Sequence, residues 1–150
     1  MTDPHETFLR RCILLSQQAA ARGDHPFGAL LVHNGQIVME AENTINSDQD
    51  ITLHAELSLV SQASRALPPE VLQECTLYTS TEPCAMCAGA IYWAGIPRVV
   101  FACSATRLGQ ITGGSLVIPC REVFKHGQHQ VMVEGPILEE EAVAVHNLFW

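Results

Sequence analysis

The chain has 150 residues, 47% of them hydrophobic and 16% charged, enough to bury the core of one domain and too apolar for a disordered segment. Its net charge is −8 and its only lysine is Lys125. That balance argues against gripping a long nucleic-acid backbone, which is held by clustered Lys and Arg, and no apolar run is long enough to cross a bilayer.

The opening, "DPHETFLRRCILLSQQAAARG", predicts a helix. Asp3 suits the N-cap, Pro4 the first helical position, Glu6 the closing residue of a capping box, and Gly23 the stop. Phe8, Leu9, Cys12, Leu15 and Ala19 recur at helical spacing and predict its buried face. Acids precede the apolar residues and no small-residue cleavage site follows, so a secretory signal is not expected and the expected compartment is the cytoplasm. Asn34-Gly35, between two β-prone runs in "GALLVHNGQIVMEAEN", predicts a hairpin. A second helix is expected from Leu53 to Arg65, with Thr52 as N-cap, Leu53, Leu57, Val60 and Ser64 on one stripe, and Pro68-Pro69 beyond its end.

"CTLYTS" reads as a short strand, and a helix then opens at Pro83 and runs to about Ala94. "RVVFAC" has too many apolar residues for one exposed face and predicts a buried strand. "SATRLGQITGGSLVIPC" is loop-rich, with room for a short helix; "HQVMVEG" predicts a last strand and "EEEAVAVHNLFW" a closing helix with acids in its first turn. Helices alternating with strands after a hairpin imply a mixed sheet covered on both faces. No repeat or linker interrupts the chain, so a single domain over residues 1–150 is expected.

Two short motifs carry chemistry. "TLHAE" and "TEPCAMC" both fall at predicted helix N-termini, and Cys84 and Cys87, three apart, share a side of their helix. Two thiolates and the imidazole of His54 make a three-ligand zinc site with one position open to water, which marks a catalytic centre rather than a structural one. Zinc brings the pKa of bound water toward roughly 7, and Glu56 beside it is the carboxylate for proton transfer. A structural zinc site would need a fourth ligand, and neither Cys75 nor Cys103 has a partner at such spacing; redox chemistry at the thiol pair would leave His54 and Glu56 unexplained. Cys12, Cys75, Cys103 and Cys120 read as buried thiols.

These residues, with "PFGALLV" and "EPCAMCAGAIYWAGIPRVVF", resemble the cytidine deaminase-like superfamily, whose nearer branch holds bacterial guanine deaminases, fungal cytosine deaminase and tRNA wobble adenosine deaminases. The resemblance implies a three-layer α/β/α sandwich with a five-stranded mixed sheet, usually a homodimer. It implies His54, Cys84 and Cys87 as zinc ligands and Glu56 as proton shuttle. It further implies Asn43 as a hydrogen-bonding partner of the base, Phe27 against its ring, and the backbone N–H of Ala55 on a substrate carbonyl. His25 falls at the expected pocket mouth, and Phe149 and Trp150 either close the pocket, in their own or a neighbouring subunit, or pad the last helix. His5, His33, His126 and His129 are expected in solvent, and His146 in packing or solvent rather than on metal.

The expected activity is zinc-dependent hydrolytic deamination of a free nucleobase, of guanine, isocytosine or cytosine type, releasing ammonia. Guanine deaminases usually carry a carboxylate after the fourth strand, whereas no Asp or Glu occurs here between Cys103 and Arg121; Arg107, Gln110, Thr112 and Ser115 are the polar residues in its place. A buried donor of guanine left unpaired would cost about 1–3 kcal/mol. Two other functions compete: a catalytically silent zinc-binding member of the fold, which an intact Glu56 argues against, and a tRNA adenosine deaminase, which the charge balance disfavours.

Overall fold

The computed structural model describes residues 3–150. Five strands form one mixed sheet in the order β2-β1-β3-β4-β5. They are β1 (Gly28–His33), β2 (Gln36–Glu42), β3 (Thr76–Thr81), β4 (Arg98–Cys103) and β5 (Met132–Glu134). β1 is antiparallel to both β2 and β3, while β3, β4 and β5 run parallel. Among the described residues the helices are α1 (Pro4–Arg22), α2 (Ala55–Ala66), α3 (Pro69–Leu72), α4 (Ala85–Ala94), α5 (Ala105–Thr112), α6 (Cys120–Phe124) and α7 (Glu139–Phe149).

Strand alternation divides the core in two. Ala29, Leu31, Leu77, Val99 and Phe101 face α2, α3, α4 and α6. Leu30, Val32, Tyr78, Val100 and Ala102 face α1 and α7, with Leu108 and Ile111 of α5 at the margin. The result is the expected three-layer α/β/α sandwich.

The helix boundaries depart from expectation where local hydrogen bonds compete. α1 is capped by the Asp3 carboxylate, which accepts from the His5 amide at 2.9 Å, and Gly23 closes it at φ 96°. Glu6 lies 3.8 Å from Arg10 and does not complete a capping box. Thr52 does not cap α2, because its amide and hydroxyl both donate to Asp50 Oδ1, at 2.9 and 2.6 Å, in a turn that keeps Leu53 outside the helix. The buried face of α2 is therefore Ala55, Glu56, Leu59, Val60 and Ala63, and Ser64 is exposed.

The segment after β4 holds α5, capped by the Ser104 hydroxyl accepting from the Arg107 amide at 3.1 Å, and leads into α6. The last strand has three residues instead of seven, since His129 leaves the sheet edge to stack on Tyr92 at 4.0 Å. His5 and His33 are likewise not free: His5 lies 2.7 Å from the Tyr78 hydroxyl and 3.0 Å from Glu134, and His33 lies 3.2 Å from Glu74.

Gly28 lets α1 lie directly on β1. A Cβ there would stand 2.5 Å from Leu15 Cβ and 2.6 Å from the Cys12 carbonyl oxygen. Backbone cannot yield as a side-chain tip can, so Gly28→Ala should destabilise the fold by about 1–3 kcal/mol in urea melts; unchanged stability would mean that α1 slides without cost.

Candidate active site

The two helices that bring the quoted motifs together start side by side on one face of the sheet. His54 is the N-cap residue of α2, and Cys84 is the N-cap of α4 with Cys87 in its first turn. Their donor atoms lie within 4.8 Å of one another, and Cys84 Sγ is 3.5 Å from His54 Nδ1. A tetrahedral ion with ordinary zinc–sulfur and zinc–nitrogen bonds separates those two atoms by roughly 3.6 Å, so the arrangement fits zinc in both donor chemistry and spacing. The Cys84 thiol is lowered to about 4, first because the Cys87 thiol donates to it and despite its burial, with His54 helping. Cys87 is pushed up by the same hydrogen bond and by burial. His54 is raised, first by its contact with Cys84 and despite its burial.

Glu56, 4% exposed, points inward from the first turn of α2. Burial, reinforced by the Cys84 charge, pushes its carboxyl up to about 7. Ala55 is the first residue of α2, a position where a helix leaves its amide without an intrahelical partner.

Asn43 follows β2 and is fully buried. Its Oδ1 accepts from the amides of Ile45, at 3.0 Å, and His25, at 3.4 Å. Among the described residues its Nδ2 is the one buried side-chain nitrogen or oxygen without a partner. The next residue, Thr44, donates its amide to the Leu53 carbonyl at 3.1 Å, which ties this corner to the turn leading into His54. Asp24 pins the same turn by accepting from the Asn46 and Ser47 amides, at 2.9 and 2.8 Å, and from the Ser47 hydroxyl.

The aromatic residues gather at one end. His25 meets Trp150 edge-on at 5.1 Å and Phe149 at 5.9 Å, and its pKa is lowered by burial and by the neighbouring His54. Phe27 lies 5.3 Å from the ring of His146, which is buried and is not one of the converging donors. Trp150 is half-exposed.

Two buried groups escape sequence reasoning. Glu82, between Thr81 and Pro83, accepts from the amides of Ala105 at 2.8 Å and Cys120 at 2.6 Å, one on each oxygen. It thereby fastens the irregular segment beside Cys84. Thr81 lies 2.8 Å from His146. Neither partnership has a local spacing signal. Of the four polar candidates named in that segment, Arg107 pairs with Glu140 at 2.8 Å, Thr112 donates to the Leu108 carbonyl at 3.1 Å, and Gln110 and Ser115 are exposed.

Residues 2–103 match the cytidine and deoxycytidylate deaminase zinc-binding region. The chain is 42% identical over 149 residues to a probable cytosine deaminase of Schizosaccharomyces pombe, covering 95% of this chain and 90% of the relative. It is 45% identical over 98 residues to a guanine deaminase of Bacillus subtilis, covering 65% of this chain and 62% of the relative. With a tRNA-specific adenosine deaminase of Bacillus subtilis the identity is 33% over 145 residues, covering 97% and 88%. In fold it is similar to a solved guanine deaminase from Nitrosomonas europaea, with TM-score 0.84 at 22% identity over 99% of this chain and 85% of that one.

Proposed function

Because the chain belongs to the cytidine and deoxycytidylate deaminase family, a family of zinc-dependent C–N hydrolases, we propose that it hydrolyses the amino group of a free pyrimidine base of the cytosine or isocytosine type. One observation carries this reading: the only buried side-chain polar atom without a partner among the described residues is a hydrogen-bond donor, Asn43 Nδ2. A buried donor without a partner calls for an acceptor, which the ring carbonyl of such a base supplies.

Guanine presents further N–H donors. Both oxygens of Glu82 are already occupied by backbone amides. Glu139 accepts from the Ser104 amide at 2.8 Å. The pocket thus offers a purine no free carboxylate apart from Glu56, which the reaction needs.

His54, Cys84 and Cys87 would hold the zinc. When bound, zinc supplies a Lewis acid that makes water a nucleophile at neutral pH. Glu56 would relay the two protons of the attacking water, one to the ring nitrogen of the amidine and one to the amino nitrogen, as the carbon–nitrogen bond breaks. Water and the amidine carbon become a carbonyl, and the amino group leaves as ammonia. Asn43 Nδ2 and the Ala55 amide hold the carbonyl edge of the base. Phe27 packs on its ring, and His25 and Trp150 restrict water at the mouth.

We place a small molecule, not nucleic acid, in this site. Arg10, Arg11, Arg22, Arg107 and Lys125 each lie within 4 Å of a carboxylate, which leaves little free positive charge for phosphates. We further propose that residues 1–150 act as one domain, in the cytoplasm, where six unpaired thiols would persist. The chain is proposed to act as a homodimer. The outward stripe of α4, Met86, Ala90 and Trp93, carries no charge, and Trp93 is 84% exposed beside the groove at Gly89 and Val123. A second copy presents the same stripe, as a two-fold interface requires. Sedimentation should give twice the chain mass, and Trp93→Glu should halve it; a monomer at micromolar concentration would remove the dimer.

The deciding experiment is ammonia release by zinc-loaded protein from cytosine, isocytosine, guanine, cytidine and adenosine. Turnover should be confined to the first two, and Asn43→Ala should lower kcat/KM roughly ten- to a hundred-fold. Turnover of guanine instead would overturn the pyrimidine assignment. Zinc binding without any turnover would favour a silent member of the fold.

A further inference from the structure

We infer that His146 is a positioning residue for the base pocket, holding Trp150 in place through its Nδ1 while its Nε2 fastens α7 to the end of β3. The inference rests on the proposed function, since it assumes that Trp150 borders the bound base.

The hydrogen bonds fix the roles of the two ring nitrogens. The Trp150 indole N–H can only donate, and it does so to His146 Nδ1 at 3.1 Å. The neutral ring then carries its proton on Nε2, which donates to the Thr81 hydroxyl at 2.8 Å. His146 is 1% exposed, and burial lowers its pKa to about 4, so the lone pair on Nδ1 persists at neutral pH. Its backbone carbonyl also accepts from the Trp150 amide at 3.0 Å, so one residue holds both the backbone and the side chain of Trp150. On its other side Thr81 ends β3, three residues before Cys84. Phe27 packs at 5.3 Å from the same imidazole, and His25 packs on the indole at 5.1 Å. Three of the residues proposed to surround the base are therefore set, directly or through one contact, by His146. What separates this histidine from one that merely fills the core is the identity of its partners, Trp150 on one nitrogen and the end of β3 on the other.

Two substitutions separate the two bonds. In His146→Asn a side-chain oxygen lies near the place of Nδ1 and can accept from the indole; in His146→Gln the amide reaches toward Thr81 and the indole is released. The chain has two tryptophans, so with Trp93→Phe as reference the emission reports Trp150 alone. His146→Gln should red-shift that emission and increase its quenching by acrylamide. It should also raise KM for the base about three- to ten-fold, the worth of a neutral hydrogen bond, with kcat and zinc content little changed. His146→Asn, which keeps the indole bond and loses only the one to Thr81, should stay near the reference in both readouts and lower the thermal midpoint instead. Trp150→Phe should raise KM similarly, and combining it with His146→Gln should add nothing. Unchanged emission and KM in His146→Gln, or equal losses of kcat and zinc in both variants, would overturn the inference. A reference protein that deaminates no base would overturn the proposed function instead, and its emission would still report whether His146 holds the indole.

Discussion

Glu56→Ala is expected to lower turnover of the deaminated base by roughly 10²–10⁴-fold while one zinc per chain is retained. The separation follows from geometry. Glu56 is not among the three donors that converge within 4.8 Å, so its loss leaves the metal set intact. It is 4% exposed and faces inward from the same helical turn that begins at His54, so no other carboxylate can swing into its place. Folding should survive, because removing a buried carboxyl also removes its desolvation cost. Glu56→Gln preserves volume and hydrogen bonding but cannot carry the proton, and should be as inactive as the alanine variant. Steady-state ammonia release, read beside metal content, checks both. A glutamine variant with near-parental kcat would show that Glu56 only orients the base, and proton transfer would have to be assigned elsewhere.

The zinc cluster was legible in the sequence because chemistry restricts it twice over, in residue type and in spacing. Cys84 and Cys87 must be three apart to share a helix side, and His54 and Cys84 each had to begin a helix for the motifs to meet. β4 was readable from its near-continuous apolar run, which marks a strand packed on both faces, and β1 from its place before Asn34-Gly35. What could not be read was set by partners far along the chain. The register of α2 turns on Asp50 capturing Thr52, which sequence patterning cannot weigh against an ordinary N-cap. The segment after β4 has no apolar period of its own; its course is dictated by Glu82, which lies 23 positions from Ala105 and 38 from Cys120. Thr81 and His146, 65 positions apart, gave no sign of each other. The converging donors were thus visible, whereas the groups packed around them were not.

The same contrast governs the second large effect. Cys87→Ala should abolish zinc binding and lower activity by more than about 100-fold, the upper range for disturbing residues that merely support a ligand. Cys87 is fully buried in the first turn of α4, and no neighbouring donor can replace it, because no further His, Cys, Asp or Glu joins the cluster among the described residues. The thermal midpoint should fall as well. Zinc couples the N-termini of α2 and α4, and the binding free energy of a structured site adds to folding. Cys120→Ala is the appropriate comparison. That thiol is equally buried but outside the cluster, so its loss should cost on the order of 1 kcal/mol and leave zinc in place. Chelation of the parent should reproduce the Cys87→Ala state, and added zinc should reverse the first but not the second. If instead Cys87→Ala kept its zinc and its turnover, two ligands would have to suffice, and the place of Cys87 beside Cys84 and His54 would be a packing arrangement with no part in the chemistry.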